Sequence, residues 1–190
     1  MEIQKKYLNY VFHIEIAGLD HKLTRKITID SNDTLASLAY IVLSSFNALS
    51  HHMYKINVKY DHDVCFTCLI MKEHEDKYIQ EYLAKDYPLW KFNLAEGDVI
   101  EMDYGYGVNF HFFIQLIERK IEDELLETPK VISGVGYGVI EECSVDYLDS
   151  ILTNNRFYQN IDYTKFNENY EQYEDNFKML KLIYEGIKNK

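Results

Sequence analysis

Tyr10-Val11-Phe12-His13-Ile14-Glu15-Ile16, a turn at Gly18-Leu19-Asp20-His21, and then Leu23-Thr24-Arg25-Lys26-Ile27-Thr28-Ile29 decide how this chain begins to fold. Side chains alternate along a strand, so Tyr10, Phe12, Ile14 and Ile16 share one face while Val11, His13 and Glu15 share the other. Leu23 to Ile29 alternates again, which predicts a β-hairpin with one face on a core. Asp30-Ser31-Asn32-Asp33-Thr34 follows with several possible N-caps, and Leu35, Leu38, Val42, Phe46 and Leu49 recur at helical spacing. A hairpin running straight into a buried helix is how β-grasp folds open. The expected fold is therefore α+β, with a mixed or antiparallel sheet and a β-grasp-like start.

Strand patterns resume at Tyr54 to Tyr60, and after the turn Asp61-His62-Asp63 they continue from Val64 to Met71. Residues 72–86 are highly charged and read as a solvated helix or excursion. Leu89 to Leu94 reads as a short strand before the turn Ala95-Glu96-Gly97-Asp98. Val99 to Asp103 and Val108 to Ile117 form a second hairpin pattern across Tyr104-Gly105-Tyr106-Gly107. Residues 118–128 are acidic and read as exposed. Gly134, Gly136 and Gly138 mark an irregular loop, and Val145 to Leu152 a short helix. Beyond Asp162, the residues Phe166, Tyr170, Tyr173, Phe177, Leu180, Tyr184 and Ile187 recur three or four apart, which predicts a long amphipathic C-terminal helix. The organisation expected is one α+β domain over 7–152 and a helical extension over 153–190. The aromatic stripe either packs on its own domain or pairs two copies, giving a monomer or a helix-mediated dimer.

The 190 residues are 47% apolar and 27% charged with 8 Gly and 2 Pro, a composition that excludes collagen-like and wholly disordered chains. The net charge of −11 is unevenly spread, for residues 1–95 sum to −1 and residues 96–190 to −10. Lys22, Arg25 and Lys26 are the densest basic group and have no extension, so nucleic-acid binding is disfavoured. The acidic half suits another protein, a basic one, as partner. The longest uncharged stretch, Thr34 to Ser50, spans 17 residues and is too short and too serine-rich to cross a bilayer, so no membrane association is expected. Three cysteines behind a start that lacks an apolar leader point to reduced thiols in the cytoplasm.

Several segments together resemble the Ri-plasmid open-reading-frame-three-like family, found on plasmids, on mobile elements and in chromosomes. Tyr10 to Gly18, Leu23-Thr24-Arg25-Lys26-Ile27, Thr34-Leu35 and Phe46 match its opening. His52-Met53-Tyr54-Lys55-Ile56 is similar to its His-Leu-Tyr-x-Phe step. Asp103-Tyr104-Gly105 resembles the start of its Asp-Phe-Gly-Asp-x-Trp motif. Pro129 to Gly134 and Gly136 to Cys143 resemble its late Gly-rich, acidic motif. The likeness spans about residues 7–152, and its weight lies in the order of the motifs. The chain departs from the pattern at Thr24, Tyr106, Val108 and Ser144-Val145, where the family has Trp, Asp, Trp and Gly-Gly. The resemblance implies a fold and a mobile-element context, but no activity.

Candidate sites are sparse. Cys65-x-x-Cys68 lies in a strand, where residues three apart face opposite ways, so both read as structural thiols. His51-His52 and Asp61-His62-Asp63 place imidazole beside carboxylate. His52 is a metal ligand in one reading and a cap on the preceding helix in the other. Gly134-Val135-Gly136-Tyr137-Gly138 has the glycines of a phosphate loop but not its Lys-Ser/Thr, and Glu141-Glu142 would repel phosphate; tight backbone packing is the plainer reading. Asp103, His111, Glu141 and Glu142 would form a catalytic acid/base or metal group if their loops converged. No complete catalytic motif and no cofactor motif is present. The leading expectation is a non-catalytic interaction or accessory module of mobile-element-type genes, with no cofactor or metal. A hydrolase-like or metal-dependent enzyme with an acidic/His site is the alternative.

Overall fold

A computed structural model describes residues 6–48, 52–70, 79–105, 110–140, 143–154 and 177–184. Strands β1 (Tyr7–Ile16), β2 (Thr24–Asp30), β3 (Tyr54–Val58), β4 (Val64–Thr67), β5 (Gln80–Leu83), β6 (Val99–Tyr104), β7 (Phe110–Glu122) and β8 (Lys130–Val135) form one sheet in the order β5-β4-β3-β6-β7-β1-β2-β8. Every pairing is antiparallel except β4 with β5, so the sheet is mixed and the class α+β. The predicted hairpin is β1–β2, with Phe12 opposite Ile27 and Ile14 opposite Arg25.

Helix α1 (Leu35–Ser45) starts where Thr34 Oγ1 accepts the amide of Ser37 at 3.1 Å. It ends at Asn47, in the left-handed region at φ 57°, with Ala48 N donating to Leu43 O at 2.9 Å and Asn47 N to Ser44 O at 3.1 Å. This double bond pattern satisfies the last carbonyls and stops the helix. All eleven α1 residues are buried, since Leu35, Leu38, Val42 and Phe46 belong to the sheet-side core and Tyr40 meets a second layer. That layer is α3 (residues 177–184), whose Phe177 and Tyr184 rings sit 6.1 and 5.7 Å from Tyr40. Tyr184 also donates its hydroxyl to His52 O at 2.5 Å. The aromatic stripe therefore packs on its own domain where it is described. Helix α2 (Val145–Asn154) buries Leu148 and Leu152 and ties to the first hairpin through Lys22 Nζ to Asp149 Oδ1 at 2.5 Å.

Several expectations need correction. The opening is not β-grasp-like: such sheets set the first strand parallel to the strand beside it across the sheet, whereas β1 lies antiparallel between β2 and β7. A long C-terminal helix is not supported, for the helix described there covers only 177–184, and Phe166, Tyr170, Tyr173 and Ile187 lie outside the described residues. Within the charged 72–86 segment, Gln80–Leu83 is an edge strand, a place where charge is tolerated and even protective. Leu89–Phe92 is a 3-10 turn instead of a strand, because its amides are spent on the α1 approach: Leu89 N donates to Asp33 O and Trp90 N to Ser31 O at 2.8 and 2.9 Å. β7 runs on through the acidic stretch to Glu122, and the first two glycines of the expected loop belong to β8 or its end.

Candidate functional site

The core face of the central strands is apolar: Ile100, Met102 and Tyr104 on β6 and Phe110, Phe112, Ile114 and Leu116 on β7 are all buried. Their alternates point the other way, toward solvent, and include Phe113, Gln115 and Ile117, all exposed. Register brings the chemistry together on this second face. Asp103 pairs with His111, Glu101 with Phe113, and Phe113 in turn with Glu15 on β1.

His111 Nδ1 donates to Asp103 Oδ1 at 2.8 Å, which orients the ring and turns Nε2 toward Glu101 Oε1 at 3.5 Å. The ring edge also meets the Phe113 ring, with centroids 4.7 Å apart. Glu101 is 9% exposed, and its Oε2 is buried without a hydrogen-bond partner. His62, on the β3–β4 turn, brings Nε2 to 3.7 Å from that oxygen, beyond hydrogen-bond reach. Across Phe113, Glu15 Oε1 accepts from His13 Nε2 at 2.8 Å and His21 Nδ1 at 2.6 Å. Burial pushes the Glu15 carboxyl up, but these two histidine bonds outweigh it and hold the group below its ordinary range.

Of the predicted site residues, Asp103 and His111 are thus in contact, while Glu141 and Glu142 lie outside the described residues. His52 is remote from this face: its ring lies against Tyr104 at 5.8 Å, and Asn47, not His52, closes α1. Among the described residues no group of three or more His, Cys, Asp or Glu is arranged to hold a metal ion. Cys65 and Cys68 are unbridged, and burial pushes both thiols up, the opposite of what a nucleophile requires. Glu101, Glu15 and Phe113 were missed as candidates. Glu101 was within reach, since it stands two residues before Asp103 on one strand and must share its face.

An Asp–His–Glu array can relay or hold a proton, and a row of carboxylates around an exposed ring can hold a cation. The array lies on open strand surface, with Asp103 side chain 47% and His111 32% exposed. A cleft of about 280 Å³ lies elsewhere, lined by Val58, Lys59, Asp61, Val64, Phe66 and Phe92.

Residues 9–180 match the family model described as plasmid pRiA4b ORF-3-like protein. The chain belongs to this family. A crystal structure of a protein of unknown function from Methanosarcina mazei Go1 shares the fold at TM-score 0.64 and 17% identity, covering 94% of this chain and 91% of that one. No functionally curated protein matches.

In this member of the plasmid pRiA4b ORF-3-like family, three of the segments that carry the sequence resemblance meet in one buried clasp. Arg25, wholly buried, donates Nε to Ser45 O at 2.7 Å, Nη1 to Thr24 O and Val135 O at 2.7 and 2.8 Å, and Nη2 to Tyr137 O at 2.7 Å. Its guanidinium lies 4.5 Å over the Phe46 ring. The glycines allow this approach: a Cβ on Gly134 would stand 2.5 Å from Thr24 O, and one on Gly136, at φ 73°, 2.5 Å from Lys22 O. The glycine-rich segment forms a backbone clasp around Arg25.

Proposed function

We propose that this protein is a non-catalytic interaction module, an accessory protein of mobile-element-type genes, that docks a basic partner protein in the cytoplasm through its solvent-facing sheet surface. One observation carries the reading: Glu15 and Asp103 stand partly exposed, with the exposed Phe113 between their strands, on the open face of the sheet. Reacting groups need an enclosed, water-poor setting to gain from their charges, whereas an open acidic face gains from meeting a basic one. The family context and the excess of negative charge in the second half of the chain support the same reading. The packing of α3 on Tyr40 favours a monomer, for which light scattering should give a mass near 22.6 kDa.

The test is titration of the full chain with an oligo-lysine peptide by calorimetry. Binding should weaken steeply as salt rises from low to physiological levels, since charge pairs at a wet interface are screened. A Glu15→Lys, Asp103→Lys double variant should lose it. Binding that survives the double variant would place the acidic attraction elsewhere and end this reading.

A second reading keeps the 2.8 Å Asp103–His111 pair as a general acid/base dyad of a hydrolase-like enzyme. Turnover of activated esters or phosphodiesters that co-purifies with the chain and disappears in His111→Ala would favour it over the docking module.

A further inference from the structure

We infer that the cleft between the β3–β4 turn and the 3-10 turn Leu89–Phe92 binds a small hydrophobic cation, an aromatic ring on a short chain that ends in an ammonium group. This site is separate from the acidic face and lies on the other side of the sheet. Ile56 pairs with Phe66, and both side chains point into the core. Val58 and Val64 stand two positions from them and share that face, whereas Asn57 lies opposite Glu101 on the other. Phe92 joins them from the 3-10 turn, its ring centroid 5.2 Å from that of Phe66. The cleft holds about 280 Å³. A cavity of about 150 Å³ takes up a benzene, so the space here suits one ring and a short tail.

The walls of the cleft are built in costly backbone. Six non-glycine residues among those described have positive φ, and three of them flank it: Lys59 at 56°, Tyr60 at 57° and Asn93 at 45°. A Cβ is crowded in the left-handed region, and such strain gathers at ligand clamps. Hydrogen bonds hold the turn in this shape, with Asn57 Nδ2 donating to Asp61 O at 3.2 Å and Val64 O at 2.9 Å, and Lys59 N to Val99 O at 2.9 Å. Charge at the rim then selects the ligand. Lys59 Nζ is spent on Asp98 Oδ2 at 2.8 Å and Asn93 O at 3.1 Å. Asp61 is exposed, its Oδ1 accepts the Asp63 amide at 3.1 Å, and among the described residues no cation pairs with it. An apolar floor between a neutralised lysine and an unpaired carboxylate complements a ring that carries positive charge. A neutral ring would leave Asp61 unpaired, and an anionic one would meet the like charges of Asp61 and Asp63.

Two-dimensional amide NMR of the full chain, titrated separately with phenethylammonium, phenethyl alcohol and phenylacetate, tests the assignment. Phenethylammonium should shift the amides of Lys59, Asp61, Val64, Phe66 and Phe92 and leave those around Phe113 in place. It should bind about three- to fivefold tighter than the alcohol, the scale of an exposed ion pair, with phenylacetate the weakest of the three. Asp61→Asn should bring the amine down to the affinity of the alcohol and leave the alcohol unchanged. Val64→Phe, which fills the cleft, should weaken both. Melting curves of each variant show that the fold is intact, and if Val64→Phe melts early, Asp61→Asn on the exposed rim carries the comparison. Absence of shifts in the cleft up to the solubility limit of the amine overturns the site. Equal affinity for amine and alcohol, or a preference for the amine that survives Asp61→Asn, overturns the choice of a cation. Shifts confined to Phe113 and its neighbours would send the cation to the acidic face and overturn the cleft as its site, while leaving the docking reading standing.

Discussion

Arg25 and Glu101 are both buried charges on one sheet, and their surroundings could hardly differ more. Arg25 lies at the β2–β8 end, donating to four backbone carbonyls and stacked on Phe46. Glu101 lies at the centre, with one oxygen loosely facing His111 and the other accepting nothing. A buried charge whose bonds are all made is committed to the fold. A buried charge with an unmade bond costs the fold part of its desolvation instead. The clasp and the open face of β6 and β7 thus show a satisfied and an unsatisfied buried charge on one sheet.

The largest expected effect breaks the clasp. Arg25→Met removes the donors and leaves the carbonyls of Thr24, Ser45, Val135 and Tyr137 short of partners, so denaturant unfolding should show a loss of about 3–5 kcal/mol. Gly136→Ala attacks the same clasp from its backbone side, by a positive φ and a Cβ driven against Lys22 O, and should cost about 2–3 kcal/mol. A loss under 1 kcal/mol for either would mean that the clasp is not what holds β8 to the sheet.

A third, half-buried charge sharpens the scale. Burial first, and then the neighbouring Asp30, raise the Asp33 carboxyl to about 6, with Lys181 of α3 opposing. Because the folded state keeps this proton to higher pH than the unfolded chain, stability should fall as pH rises from about 4 to about 6 and then level off. Asp33→Asn should flatten that slope and, at neutral pH, stabilise the protein by about 1–2 kcal/mol, discounted for solvent screening because the side chain is half-buried. Thermal melts of both chains between pH 3 and 8 check it; parallel curves would remove Asp33 from the list of strained charges. The smallest effect belongs to Glu101. Glu101→Gln should alter stability by less than about 1 kcal/mol at neutral pH, since the lost carboxylate has no strong bond to lose. A loss comparable to that of Arg25→Met would erase the contrast between the two regions.

Local periodicity made much of this molecule legible. The β1–β2 hairpin, the Thr34 cap and α1, β3, β4, β6 and α2 all follow from alternation or helical spacing, because the residues that face the sheet core recur at the period of each element. The edge strand Gln80–Leu83 and the Leu89–Phe92 turn did not follow. An edge strand buries little, and the turn is shaped by amides bonded to residues some sixty positions earlier. The Asp103–His111 contact was foreseen as a possibility, but only the antiparallel register of β6 on β7 made it one.

By itself, then, the order of residues determined the α+β class, the buried first helix and the family, since each depends on composition or short-range pattern. Tertiary structure alone decided that β1 lies beside β7, that residues 134–138 close around Arg25, and that Glu15 and Glu101 flank Phe113. The first two placements join residues some 96 to 115 positions apart, and one residue of slip in register would send each of the flanking carboxylates to the core face instead.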